Sequence, residues 1–162
     1  MKLIKPKFTK LNIGCGYEKK EGFVNIDKAR EVNPDYIVDI EKGLPFPDNS
    51  FDYIFSQHCL EHVRPQYWKF VLDEIARVAK DGCILELYLP FDNIWNRTNS
   101  DHYRTFHWTS FAQNEVGSNR FYYTKLKLKR IEKVPNRIVR AIYVFFPIFF
   151  KEVHFKYRII KK

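Results

Sequence analysis

A glycine turn between two short apolar runs most constrains the fold of this chain. Residues 11–27 read LNIGCGYEKKEGFVNID, in which one apolar run ends at the turn 14–16 and a second ends at Asp27. Glycines let a backbone approach a ligand closely, and an acid at the tip of the second strand can accept hydrogen bonds from both ribose hydroxyls. The pattern predicts two strands that hold an adenosine-bearing cofactor, although Gly-x-Gly after a strand is also typical of a plain tight turn.

Further apolar runs, separated by turn formers, continue along the chain. Residues 35–40, 51–55 and 83–89 read as strands. Near-continuous apolar strands that alternate with helices indicate a parallel sheet covered on both faces. Only residues 17–22 separate the glycine turn from the second strand, which is too few for a full crossover helix.

One amphipathic helix is predicted after Pro65. Its apolar stripe recurs at helical spacing and consists of Tyr67, Val71, Ile75 and Val78. We expect Asp73 and Arg77 to pair at i,i+4 on this helix. Asp81-Gly82 is expected to stop it.

Two alternating stretches predict an antiparallel strand pair near the C-terminal end. In residues 121–131 and 153–159 apolar side chains alternate with basic ones, as in half-exposed strands with lysines at the edge. Between them, residues 139–150 are apolar and aromatic but too short to span a membrane, and Pro147 interrupts them. We expect this segment to be a lid or an interfacial helix, or else to cover a bare sheet face.

The net charge of +9 is unevenly distributed. Residues 120–162 hold 13 Lys and Arg against two acids, so the basic character lies in the last quarter of the chain. Such a run is often only a solvated face. Otherwise it forms a basic surface for a phosphate-bearing substrate, nucleic acid or lipid headgroups.

The cysteines and the N-terminal composition indicate an intracellular setting. Cys15, Cys59 and Cys83 are odd in number and form no C-x-x-C pair, so they read as buried apolar residues in a reducing compartment. Residues 1–30 lack the layout of a secretory signal. We therefore expect a cytoplasmic protein.

Four segments resemble the class I S-adenosylmethionine-dependent methyltransferases. LNIGCG is similar to the family's first motif, and VNID to its ribose-binding acid. VDIEKGLPFPDNSFDYIFSQHCLEH resembles the third-strand acid, the Leu-Pro-Phe loop and the fourth strand with its trailing Leu-Glu-His. ARVAKDGCILELYLP is similar to the helix, the Lys-x-Gly turn and the fifth strand. The likeness covers about residues 8–90, and a small subfamily with a GCG and VNID signature is the nearest in pattern.

The resemblance implies a cofactor site and a role for each part of it. The turn 14–16 would pack under the amino-acid and ribose portions of S-adenosylmethionine, and Asp27 would hold the ribose hydroxyls. Asp39 and Ile40 would flank the adenine, and residues 56–58 would line the methionine end near the sulfonium. The implied cofactor residues are Asn12, Gly14, Cys15, Gly16, Asp27, Lys28, Asp39, Ile40, Ser56, Gln57 and His58.

The patterns and the resemblance together predict an α/β fold. We expect a Rossmann-like three-layer sandwich with a mainly parallel sheet, an antiparallel C-terminal strand pair, and a first crossover helix that is shortened or missing. The chain reads as a single methyltransferase-like domain, 1–162. Its expected parts are an N-terminal arm at 1–7, an acceptor-side loop with a short helix at 91–120, and an aromatic insertion at 132–152.

Several polar residues are candidates for catalysis or substrate contact. His58 would lie near the sulfonium. The cluster in DHYRTFHW follows the fifth strand, where acceptors usually sit over the carboxyl edge of the sheet, so it is predicted to contact substrate or to supply a base. Its members are His102, Tyr103, Arg104 and His107, of which His102 and Arg104 are the catalytic candidates. The alternative is that the backbone satisfies them as loop polar groups. The pair Glu61-His62 reads as a structural turn contact rather than a catalytic pair.

A metal site is not expected from the sequence. His58 and His62 stand at i,i+4 with Cys59 between them, but no third or fourth ligand follows at a suitable spacing.

The predicted function is an S-adenosylmethionine-dependent methyltransferase. The methyl acceptor would be an oxygen or nitrogen of a small molecule, a glycan or a lipid-linked molecule. The alternative is a non-catalytic module that binds RNA or anionic lipid through its basic C-terminal part. A nicotinamide-dependent oxidoreductase is disfavoured, because Lys19 stands where the dinucleotide fingerprint has its third glycine. Peripheral membrane contact and a nucleic-acid partner are less favoured expectations, and the oligomeric state is unconstrained.

Overall fold

A sheet of seven strands forms the centre of the fold in the computed structural model, which describes residues 3–115, 124–132 and 151–161. The strands are β1 Lys10–Ile13, β2 Val24–Asp27, β3 Tyr36–Ile37, β4 Phe51–Gln57, β5 Ala79–Pro90, β6 Leu128–Arg130 and β7 Glu152–Ile159. Their order is β3-β2-β1-β4-β5-β7-β6. The first five are parallel, whereas β7 runs antiparallel between β5 and β6. The predicted Rossmann-like α/β class is therefore confirmed, including the antiparallel C-terminal pair.

The first and second strands are joined without a helix, as the short connection predicts. The buried side chain of Asn25 holds this connection in place of a helix. Its amide oxygen accepts from the Lys20 backbone N–H at 2.8 Å and from Asn12 Nδ2 at 2.9 Å. Its amide nitrogen donates to the Lys20 carbonyl at 3.1 Å and to Asp35 at 3.0 Å. Asn12 and Asn25 are register partners on β1 and β2, so a buried polar pair fastens residues 17–23 to the sheet.

The helix after Pro65 is confirmed and packs its apolar stripe on the sheet. A 3-10 turn, Pro65–Tyr67, leads into α1, Trp68–Val78. The side chains that it buries are Val71, Leu72, Ile75, Ala76 and Val78. A second, short helix, α2, covers Ile94–Arg97 in the loop after β5. In the part of the chain that the structure describes, no helix combines the length and apolar content that a membrane crossing requires.

Two expectations about this helix are wrong. α1 ends at Val78 and the chain enters β5 at once, so Asp81-Gly82 lies inside the strand, where the pairing with β4 is irregular. Arg77 does not pair with Asp73. It binds Glu74 at 2.6 Å and Asp48 at 2.9 Å, because its guanidinium turns toward the loop before β4 and also donates to the carbonyls of that loop.

The third strand is shorter than the apolar run that predicts it. Only Tyr36–Ile37 pairs with β2. Asp39 then caps a 3-10 turn, Ile40–Lys42, by accepting the Glu41 backbone N–H at 3.1 Å. A side chain that caps a turn in this way competes with strand pairing, which is why the strand stops before Asp39.

The C-terminal predictions fall partly on described residues. β7 agrees with the predicted strand at 153–159, and β6 lies within the predicted strand at 121–131. Residues 121–123 and the aromatic segment 139–150 lie outside the described residues, so the prediction of a lid or interfacial helix stays a prediction.

Candidate functional site

The turn after β1 is shaped by two glycines with left-handed backbone. The N–H groups of Gly14 and Cys15 both donate to the Ile26 carbonyl, at 2.9 and 3.0 Å. Gly14 has φ +67°, and a Cβ built on it would lie 2.4 Å from the Cβ and Sγ of Cys59. Both the backbone angle and the space therefore require glycine here, and the turn packs directly against the residues after β4.

Asp27 links this turn to the end of β2. One carboxylate oxygen accepts the Gly16 N–H and the other accepts the Ala29 N–H, both at 2.9 Å. Each carboxylate oxygen has two lone pairs, so each can still accept a hydrogen bond from a ligand hydroxyl. The side chain is thus held in place with free acceptor capacity, which suits the ribose of an adenosine-bearing cofactor.

A cleft of about 930 Å³ opens over the carboxyl ends of the parallel strands. A volume of this size lies within the range typical of ligand sites, roughly 300–1,000 Å³. Ten of the eleven predicted cofactor residues line it, namely Asn12, Gly14, Cys15, Gly16, Asp27, Lys28, Asp39, Ile40, Gln57 and His58. The structure thus brings together residues from four strands of the sheet, and their donor and acceptor groups fit S-adenosylmethionine.

Three predicted site residues do not line this cleft. Ser56 is fully buried, and its hydroxyl donates to the Ile13 carbonyl at 3.1 Å, so its side chain ties β4 to β1 instead of facing a ligand. Arg104 stacks over the Trp68 ring at 3.8 Å and donates to a backbone carbonyl. His102 does not line the cleft itself, but its ring centroid lies 5.2 Å from that of His62, which does. Other protein groups therefore hold Ser56 and Arg104, and the roles predicted for these three residues stay predictions.

His58 stands at the end of β4 in a strained conformation. Its φ of +48° is uncommon for a residue with a side chain, and such strain clusters at functional sites. Its Nδ1 lies 3.4 Å from Glu61 Oε1, and its Nε2 lies 3.0 Å from Glu152 Oε2. The Glu61 carboxylate, and then Glu152, raise the pKa of His58 against the opposing effect of burial.

The cleft is also lined by residues that were not predicted to bind the cofactor. Glu41 holds Arg64 through its backbone N–H and its guanidinium Nε, each at 2.7 Å, and both residues line the cleft. Residues Ser100, Asp101 and Tyr103 of the loop after β5 line it as well. The sequence analysis had predicted substrate contact for Tyr103 and an acceptor-side position for its loop, whereas no sequence signal indicated Glu41 or Arg64.

The cleft also contains a cation beside the connection that lacks a helix. Lys20 lines the cleft and lies over the ring of Phe55, with Nζ 4.1 Å from the ring centroid.

Cys59 also lines the cleft, and burial raises the pKa of its thiol to about 12. The thiol is therefore neutral at physiological pH and is not a nucleophile.

Comparison with known proteins agrees with this geometry. Residues 14–87 match the family described as a methyltransferase domain. A solved S-adenosylmethionine-dependent methyltransferase from Archaeoglobus fulgidus shares the fold, with a TM-score of 0.60 over 95% of this chain and 87% of that chain, at 14% identity.

Two curated relatives from Arabidopsis thaliana match shorter segments. The chain is 35% identical over 54 residues to a probable pectin methylesterase, CGR2, which is 33% of this chain and 21% of that protein. It is 28% identical over 98 residues to a probable pectin methylesterase, CGR3, covering 52% of this chain and 38% of that protein. The chain thus spans well under half the length of either relative.

The glycine turn, the acid at the end of β2 and the cleft above them lie within the segment that matches the methyltransferase domain. The match over residues 14–87 and the shared fold support a class I S-adenosylmethionine-dependent methyltransferase with S-adenosylmethionine as its cofactor.

Proposed function

We propose that this protein transfers a methyl group from S-adenosylmethionine to an oxygen of a glycan. The observation that carries the proposal is one continuous cleft, lined by the glycine turn, Asp27 and Asp39 and also by His58 and Tyr103, which follow β4 and β5. The first group suits an adenosine-bearing cofactor, and the second is left for a polar acceptor. When bound, S-adenosylmethionine supplies an electrophilic methyl group on a sulfonium.

The names of the two Arabidopsis relatives support a glycan as the acceptor. Both are probable pectin methylesterases, so their printed names refer to methyl esters of a polysaccharide. A sugar carboxylate is already an anion and needs no base, whereas a sugar hydroxyl must lose its proton during attack. With a carboxylate acceptor, the residues of this chain need only bind and orient the two reactants. Such positioning provides most of the rate acceleration in displacements of this kind.

Lys20 is the residue that we assign to the methionine carboxylate of the cofactor. In most members of the family the first crossover helix presents its N-terminus there, but residues 14–23 contain no helix in this chain. Lys20 lies in that connection, faces the cleft and is packed on Phe55. A lysine ammonium can bind a carboxylate as a point charge where helix N–H groups are absent.

Replacement of Lys20 tests this assignment. We expect Lys20→Ala to weaken S-adenosylmethionine binding roughly fivefold, in line with one partly exposed ion pair, and to leave the binding of adenosine unchanged. Isothermal titration calorimetry with both ligands measures the difference. Lys10→Ala, at the other end of β1 and outside the cleft, is the matched control. Equal weakening of both ligands, or of neither, would contradict the assignment.

The function itself is tested first by binding and then by transfer. We expect S-adenosylmethionine and S-adenosylhomocysteine to bind with 1:1 stoichiometry and NAD not to bind. Transfer of a labelled methyl group is then compared between uronic-acid oligosaccharides, neutral oligosaccharides and anionic lipids. Incorporation into the uronic-acid chains, lost on base treatment that cleaves methyl esters, supports the proposal. Cofactor binding without transfer to any glycan would refute the acceptor, and absence of cofactor binding would refute the whole function.

A further inference from the structure

Three side chains of types that can bind a metal ion lie together beside the cleft, although the sequence alone indicated no metal site. Glu61 and His62 lie on the 3-10 turn Leu60–His62, and His102 lies in the loop after β5. One potential ligand atom from each residue lies within 4.8 Å of the other two. The imidazole rings of His62 and His102 are 5.2 Å apart at 70°. The backbone keeps the two segments together, because the Tyr103 N–H donates to the Glu61 carbonyl at 2.9 Å.

The Glu61 carboxylate has no hydrogen-bond partner within the described residues. Its side chain is 0% exposed, and neither oxygen accepts a hydrogen bond from a described residue. His58 Nδ1 approaches one oxygen at 3.4 Å, but that imidazole is half exposed and also pairs with Glu152. Burial of a carboxylate without hydrogen bonds is costly unless a cation compensates it. Glu61 therefore lies where a further positive charge would be stabilising.

The two histidines can supply neutral nitrogen ligands. His62 Nδ1 lies 2.8 Å from the Asp101 carbonyl, which can only accept, so Nδ1 is the donor in this contact and Nε2 is the nitrogen left for a ligand. Metal-binding histidines are usually held by such a bond to a carbonyl or carboxylate. His102 Nδ1 is buried without a partner, and its Nε2 lies 3.2 Å from the Asn99 side-chain amide. Coordination through Nδ1 would require the Asn99 amide to turn its oxygen to Nε2–H.

We propose that Glu61, His62 and His102 bind one zinc ion at the acceptor side of the cleft. Two imidazoles and one carboxylate are the protein ligands of zinc sites that keep an open fourth position. His62 itself lines the cleft, together with Asp101 and Tyr103 of the same loop. An ion held by these three residues would lie beside the cleft, where it could bind an acceptor oxygen and orient it for methyl transfer. The metal site is independent of which acceptor is used.

A direct contact between Glu61 and His102 is the competing arrangement. A small movement of either side chain would let His102 Nδ1–H donate to the carboxylate, which would satisfy both groups without metal. In that arrangement the removal of either residue alters stability but no metal is bound. Metal content therefore separates the two arrangements without reference to activity.

The test uses the full chain, stripped with a chelator and titrated with Zn²⁺ against a chromogenic competitor. We expect one zinc per chain, and we expect Glu61→Gln and His102→Ala each to weaken binding by more than about 100-fold, since even outer-shell partners are worth roughly 10–100-fold. Substitution with Co²⁺ should give visible absorption of a four- or five-coordinate ion. If Glu61→Gln does not fold, His102→Ala alone is used for the test, because a substitution on the loop after β5 is less disruptive to folding than one at a fully buried residue.

Two control variants distinguish this site from other donors. His107→Ala removes a histidine of the same loop whose Nδ1 interacts with Thr109 instead, and it should bind zinc as the wild type does. Cys59→Ser removes the nearest thiol and should also retain zinc. Zinc binding that is lost in Cys59→Ser but kept in His102→Ala, or that is absent from the wild-type chain, would overturn the proposal.

Discussion

Asp27→Ala is expected to weaken the binding of S-adenosylmethionine by roughly 10- to 150-fold. The substitution removes a charged acceptor from the ribose position, and hydrogen bonds to charged groups are worth about 1.5–3 kcal/mol. The same carboxylate also holds the N–H groups of Gly16 and Ala29 at 2.9 Å. Its loss therefore loosens the turn under the cofactor as well as the contact to the ribose. Isothermal titration calorimetry with S-adenosylmethionine measures the affinity.

Two further variants make this result specific. Asp52→Ala removes a half-exposed carboxylate at the opposite end of β4, outside the cleft, and should bind the cofactor as the wild type does. Asp27→Asn keeps one acceptor oxygen and should fall between the wild type and Asp27→Ala. An Asp27→Ala protein that is folded by circular dichroism and binds within twofold of the wild type would show that the ribose is held elsewhere.

Asn25→Ala is expected to lower the free energy of unfolding by about 2–4 kcal/mol. The Asn25 side chain forms hydrogen bonds with the backbone N–H and carbonyl of Lys20 and with the side chains of Asn12 and Asp35. Asn25 is only 3% exposed and Asn12 only 2%, so water does not replace these partners. Each buried group left unsatisfied costs about 1–3 kcal/mol. Urea denaturation monitored by tryptophan fluorescence measures the change.

Lys20→Ala is the matched control for the stability effect. It lies in the same connection but keeps both backbone groups that Asn25 binds, so we expect its free energy of unfolding to change by less than about 1 kcal/mol, the size of an exposed cation–π contact. Unfolding of Asn25→Ala at the wild-type urea midpoint would mean that the helix-free connection is held by other contacts. Equal destabilisation by both variants would lead to the same conclusion.

The cofactor half of the site could be predicted from the sequence because its signals are local. The turn 14–16 needs glycine for its backbone angles, and Asp27 follows its strand at once. Parallel strands bring their carboxyl ends to one edge of the sheet, so residues that follow β1, β2 and β4 meet there whatever the rest of the chain does. Ten of the eleven predicted cofactor residues line the cleft for this reason.

Local sequence patterns did not predict the hydrogen-bond or ion-pair partner of a side chain when several partners lay within its reach. Ser56 stands in line with Gln57 and His58, yet alternation along β4 turns it inward to the Ile13 carbonyl. Arg77 could pair with Asp73 at i−4 or with Glu74 at i−3. It pairs with Glu74, because its guanidinium also binds two carbonyls and Asp48 of the loop before β4.

The sheet, the helix-free first crossover and the cofactor end of the cleft follow from sequence patterns alone, since each depends on periodicity or on backbone geometry over a few residues. The acceptor end follows only from the folded chain, because the loop after β5 returns over the turn after β4 through contacts between residues about 40 positions apart, such as His62 with Asp101. It is this return that places His102 beside Glu61 and His62. Spacing along the chain could not reveal a third ligand that a distant loop provides.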